Sequence, residues 1–292
     1  MNGNIRPRLW MLGDSHAEPF HGIVDTWIQM LADALDMEIG LVSGMKYGGT
    51  SLPYLCQIQW TTMVPLMQPG DMIIAVLTHT ARTWFFAEHP HISHLGWIDP
   101  KKRNPALPRE ITYMHQQAMQ DYYLHFNRQD LHCIWLESWF YYLDAVANRL
   151  GTKAVVIDAF HEATSKINTG NFNADHHTNI IRASGHLHAV SSSEQRDDTA
   201  AAVMRDFVSL HYRDPRFNHL LRPNHEILSA KVQAALCHGH PIDLTSGFKS
   251  HIMGAQDLLD DDWLLENIGD SHHDRLSSDD RHWISRWLER HG

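Results

Sequence analysis

Four residues near the start of the chain, Gly13-Asp14-Ser15-His16, could carry covalent chemistry. Ser15 follows a short apolar run and precedes a helical pattern. That arrangement projects a hydroxyl from the carboxyl end of a strand, where open α/β sheets place their sites. An alcohol is a weak nucleophile at neutral pH and needs an adjacent base. A second group lies late in the chain: Asn218-His219-Leu220, with Pro223-Asn224-His225 close behind. Histidine titrates in the range such a base requires. If Ser15 and His219 meet, the chemistry is nucleophilic attack on a carbonyl, with an oxyanion held by nearby N–H groups. The plain alternatives are that Asp14 or Ser15 only caps the next helix, and that His219 is one of 24 histidines with a surface or capping role.

These residues need elements to hold them. Residues 8–12 read as a buried strand that stops at Gly13. Pro19 is expected to open a helix, because Phe20, Ile23, Val24, Trp27, Leu31 and Leu35 recur at three- and four-residue spacing. Residues 38–43 read as a second strand. Gly48-Gly49 marks the loop after it, and Thr50-Ser51 can cap the following helix. Met72 to Leu77 is the strongest strand signal, and residues 88–108, with four prolines and no periodicity, read as a long loop.

Helices are expected over about 110–126, 130–150 and 194–210, and from Pro223 through Leu236 with Ile227, Leu228, Val232 and Leu236 on one face. Strands are expected over 154–157 and 180–190. Trp135, Trp139 and Tyr142 have the spacing of core aromatics. Alternating strands and helices predict a three-layer α/β/α sandwich with a mainly parallel sheet. This layout puts one α/β domain at 1–238 and leaves 239–292, acidic and polar, as an extension of short helices packed on the core.

Gly-Asp-Ser-His after the first strand, a glycine-containing loop after the second, and His-Leu…His before a late helix together resemble the SGNH (GDSL-like) serine hydrolases, over roughly residues 8–236. The resemblance implies Ser15 as nucleophile and His219 as its base. It also implies an oxyanion hole from the backbone N–H groups of Ser15 and of Gly49 (or Gly48). The family's third motif offers an Asn after the third strand. Here Leu77-Thr78-His79-Thr80-Ala81-Arg82 stands instead, so either Thr78 or His79 is the substitute donor or the hole rests on backbone groups alone. Arg216 stands three residues before His219, where the family often has Asp. Asp214 is the nearest carboxylate, and without it the pair is a dyad. His16 replaces the usual Leu or Ile.

Composition narrows the class. The chain has 292 residues, 43% of them hydrophobic and 20% charged, with a net charge of -10. That balance disfavours nucleic acid and anionic membranes as partners. Cys56, Cys133 and Cys237 are odd in number and widely spaced, and they read as small buried hydrophobes in a reducing compartment. No leader-like apolar segment or membrane span is visible, so a cytoplasmic or virion-associated protein is expected.

Short histidine tracts (His89, His91 and His94; His176-His177; His186 and His188; His238 and His240; His272-His273) could bind metal, but no HExxH occurs. The expectation is no metal and no cofactor. Arg82 could pair with Glu88 at the surface or clamp an anionic group of a substrate, with Trp84, Trp97 and His79 nearby to contact a sugar. The expected activity is an esterase that removes an acyl group, acetyl first, from a carbohydrate or other small ester. Two alternatives are a degenerate scaffold with a binding or structural role, such as a phage virion protein, and a histidine-based metallohydrolase. Oligomeric state is not legible.

Overall fold

The computed structural model describes residues 6–17, 26–40, 51–78, 129–160, 177–193, 197–211, 220–250, 253–260, 262–263, 266 and 277–291. In chain order the elements are β1 (Arg8–Leu12), α1 (Trp27–Ala34), β2 (Glu38–Gly40), α2 (Leu52–Tyr54), a π-helical turn (Leu55–Gln59), α3 (Trp60–Met63) and β3 (Met72–Leu77). There follow α4 (Gln129–Leu150), β4 (Ala154–Asp158), β5 (Ile180–His186), α5 (Leu187–Ser193), α6 (Asp198–His211), α7 (Arg222–His238), β6 (Ile242–Asp243) and α8 (Ser278–His291). The strands alternate with helices and pair in parallel, which makes this an α/β fold with a parallel sheet. No described helix is long and apolar enough to cross a membrane.

The chain divides into two compact units, Pro7–Ala17 with Gly40–Ile180, and Met1–Arg6 with Glu18–Ile39 and Ile181–Gly292. In the first unit, β3 pairs in parallel with β1 on one side (Leu9 with Met72 through Leu12 with Ala75) and with β4 on the other (Ile73 with Ala154 through Leu77 with Asp158). These strands read as unbroken apolar runs because both faces are covered: Leu9 to Leu12, Ile73 to Leu77 and Ala154 to Ile157 are all buried. One carboxylate staples the amino ends of β1 and β3. Asp71 accepts the Arg8 N–H at 2.8 Å, the Trp10 indole N–H at 2.7 Å and the Gln68 N–H at 2.9 Å.

Ser51 caps α2 as its residue type predicts, accepting from Tyr54 N at 3.3 Å. α4 buries Leu136, Trp139, Phe140, Leu143, Val146, Ala147 and Leu150 at helical spacing. Of the three aromatics expected in the core, only Trp139 is buried; Trp139 and Tyr142 both stand edge-on to Trp60, while Trp135 and Tyr142 remain about half exposed.

In the second unit, α1 packs on α7. The apolar periodicity that suggested a helix from Pro19 is interrupted. Thr26 is extended and its side chain accepts from Gln29 N at 3.3 Å, so α1 starts at Trp27; residues 18–25 lie outside the described set. The buried stripe of α7 is rotated from expectation. Leu228 and Val232 are buried, but Asn224 and His225 are buried too, while Ile227 and Leu236 are only partly covered.

The predicted strand 180–190 ends at His186. Gly185 turns the chain with φ of 83°, and His186 Nδ1 accepts the Ala189 N–H at 3.0 Å, which starts α5. β6 was not expected. It pairs in parallel with β5, Ala183 opposite Ile242, although it lies beyond residue 238. Further along, α8 shares a buried cluster with α6 (Val203, Met204 and Phe207 with Ile284 and Trp287), and the Trp287 indole donates to Asp206 at 2.8 Å. Cys237, read as a buried hydrophobe, is exposed near the end of α7.

Candidate active site

The candidate site occupies the carboxyl rim of β1, β3 and β4, all within the first unit. β1 ends at Leu12, and the chain leaves it through Gly13 with φ of 148°. A side chain is excluded there: a Cβ would stand 2.7 Å from Ala17 Cβ and 2.8 Å from Val76 O. Both polar groups of Gly13 are taken by one side chain. Gly13 N donates to Gln59 Oε1 at 3.0 Å, and Gln59 Nε2 donates to Gly13 O at 3.0 Å.

Ser15–Ala17 then forms a single 3-10 turn. Asp14 organises that turn. Its carbonyl accepts from Ala17 N at 2.9 Å, and its Oδ1 accepts from His16 N at 3.0 Å. Its Oδ2 accepts the hydroxyl proton of Thr78, the residue just past β3, at 3.0 Å. Asp14 is 2% exposed and Thr78 fully enclosed, so this bond ties the ends of β1 and β3 together where water does not compete.

β4 contributes the third side of the rim. Its last residue, Asp158, is a buried carboxylate aligned with Leu77. Ala159 N donates to Leu77 O at 2.8 Å, which carries the pairing one residue past the strand. The His16 ring stands edge-on to Phe160, with centroids 5.7 Å apart. The result is a serine-bearing turn beside buried carboxylates, an imidazole and an aromatic face.

Of the residues expected to act, Ser15 has its backbone in this turn. Thr78 reaches the rim, but its one hydroxyl proton goes to Asp14. As a side-chain donor it is therefore committed to a carboxylate rather than open to an oxyanion. Gly48, Gly49, His79, Arg82, Trp84, Trp97, Asp214 and His219 lie outside the described residues. His225, the second histidine of the late motif, has a structural job within the second unit: its Nδ1 accepts the backbone N–H of Trp27 at 3.2 Å. Asn224 beside it brackets Lys249, donating to its carbonyl at 2.9 Å and accepting its N–H at 2.8 Å.

Among the described histidines, His177 is buried against the rings of Phe140 and Tyr141, and His186 stacks on His188. Among the described residues, no three His, Cys, Asp or Glu side chains converge as metal ligands would.

Two rim residues escaped the sequence reading. Asp158 had a readable signal, an acid closing an apolar strand. Gln59 had none, because its partner lies 46 positions away. Comparison with protein-family models, curated proteins and solved structures returned no match.

Proposed function

We propose that the protein is a serine ester hydrolase of SGNH type, with Ser15 as nucleophile. The observation that carries this reading is the turn itself. A serine directly follows a buried parallel strand, at the carboxyl rim, in a backbone pinned by Gln59 and Asp14. Sites on open α/β sheets are built at that edge. Ser15 Oγ attacks the acyl carbonyl carbon, and His219 takes its proton, oriented by Asp214 or by a backbone carbonyl. The N–H groups of Ser15 and Gly49 hold the oxyanion. His219 then protonates the leaving alcohol, and water cleaves the acyl-enzyme by the reverse proton path. The substrate class is a small acyl ester, with acetylated carbohydrate the first to test. Arg82, Trp84 and His79, which follow β3, are the side chains this reading directs at the sugar.

A fluorophosphonate probe tests the proposal. Wild-type protein should label, Ser15→Ala should not, and p-nitrophenyl acetate turnover should follow the same pattern.

A second reading is a binding or structural protein on the same scaffold. One observation favours it: the residue expected to replace the third-motif donor, Thr78, has already given its proton to Asp14. Losing one oxyanion donor typically costs about 10²–10³ in rate. No labelling and no turnover in wild-type protein would support the scaffold reading.

A further inference from the structure

We propose that Gln59 is a positioning residue of this site: its carboxamide, closed on both polar groups of Gly13, sets the peptide that leads into Asp14-Ser15. The inference rests on the hydrolase reading above and deepens it.

The geometry is unusual in its completeness. Gln59 is fully buried, and its amide answers an N–H and a C=O of the same residue, each at 3.0 Å. A buried amide left without partners is unfavourable, so the pairing specifies one orientation of both groups. Gly13 is the point where direction matters. Its φ of 148° takes the chain off the strand, and Ala17 Cβ and Val76 O crowd the space a side chain would need. Rotation of the Gly13 peptide would swing Ser15, two residues on, relative to the ends of β3 and β4. Gln59 opposes that rotation from both sides.

The segment bearing Gln59 is itself unusual. Between α2 and α3 the helix widens into a π turn, closed by Trp60 N–H donating to Leu55 O. π turns are rare, because the widened ring packs its axis poorly, and they occur often at functional sites. In this segment Leu52, Tyr54, Leu55, Gln59, Trp60 and Met63 are all buried, so Gln59 is the amide carried on an otherwise apolar inward face. An apolar residue at that position would satisfy packing alone. The amide answers the turn.

The test compares wild-type protein with Gln59→Met, which keeps the volume and loses both bonds. Gln59→Glu keeps the acceptor for Gly13 N–H and sets a carboxylate oxygen against Gly13 O. Asp71→Asn serves as the control, since it weakens the amino ends of the same two strands, away from the rim. The readouts are fluorophosphonate labelling rate, kcat and KM for p-nitrophenyl acetate, and the thermal midpoint. A misplacement of the nucleophile of about 1 Å costs about 10² in rate. Gln59→Met is therefore expected to lose about that factor in kcat and labelling rate with KM unchanged, and Gln59→Glu an intermediate factor. Asp71→Asn should lower the midpoint and leave kcat as it is.

If Gln59→Met does not fold, Gln59→Glu carries the comparison. Wild-type kcat in a folded Gln59 variant overturns the inference, as does an equal loss in Asp71→Asn. Wild-type protein that neither labels nor turns over overturns the hydrolase reading, and the inference with it.

Discussion

The backbone N–H of Trp27 donates to Nδ1 of His225, 198 positions later, at 3.2 Å. Trp27 is the first residue of α1, and the first N–H groups of a helix have no partner within it. Thr26 serves the N–H of Gln29, and His225 serves that of Trp27. The bond requires an unprotonated Nδ1, so the ring must carry its proton on Nε2. His225→Phe keeps a buried ring and removes the acceptor. It should destabilise the protein by about 1–3 kcal/mol, the cost of a buried donor left unmet. Equilibrium denaturation in urea measures this; an unchanged midpoint would refute the capping role.

The Thr78–Asp14 bond makes a separable prediction. Thr78→Val is nearly isosteric and leaves Asp14 Oδ2 without that donor beneath an enclosed surface. A loss of about 1–3 kcal/mol is expected, because a hydrogen bond to a buried carboxylate lies at the upper end of the usual range. Thr78→Ser restores the hydroxyl and should recover most of it. Urea denaturation of the three proteins decides the matter, and equal stability of Val and Ser variants would count against the bond.

Asp243, which ends β6, is held well below the usual carboxylate range. The Ser246 hydroxyl is the largest cause, followed by the hydroxyl and N–H of Thr245, all donating to the ionised form. A pKa depressed by folding adds stability above the unfolded value of about 3.9, and that stability is lost as pH falls through the folded value. Ser246→Ala should therefore move the Asp243 titration upward and bring the loss to higher pH. An NMR titration of the side-chain carboxyl reads this directly; no movement on substitution would refute the assignment.

Cys56 and Cys237 should differ in reactivity. Cys56 is half-buried and loss of solvent pushes its thiol well up, leaving almost no thiolate at neutral pH, whereas Cys237 is exposed. The thiolate is the reactive form. Iodoacetamide followed by peptide mass spectrometry should find Cys237 modified in native protein and Cys56 only in denaturant. Modification of Cys56 at the native-state rate of Cys237 would contradict the burial.

The sequence alone determined β1, β3 and β4 and, to within two residues, the bounds of α4 and α7; β6 and the end of β5 it did not. Runs such as Leu9 to Leu12 and Ile73 to Leu77 are apolar on both faces, and only a covered parallel strand accommodates that. Ser51 and Pro223 announced their helices because capping and φ restriction act within a few residues. The serine turn was legible for the same reason.

Where local signals conflicted, tertiary contacts decided. Apolar spacing ran through Thr26, yet the helix starts after it. Trp135 and Trp139 shared a pattern, yet only one is buried. The partners of the site were not legible at all. Gln59 with Gly13, Thr78 with Asp14 and His225 with Trp27 are separated by 46, 64 and 198 positions. A hydrogen bond acts over about 3 Å, and no residue pattern records which distant groups the packed strands and helices bring within that reach.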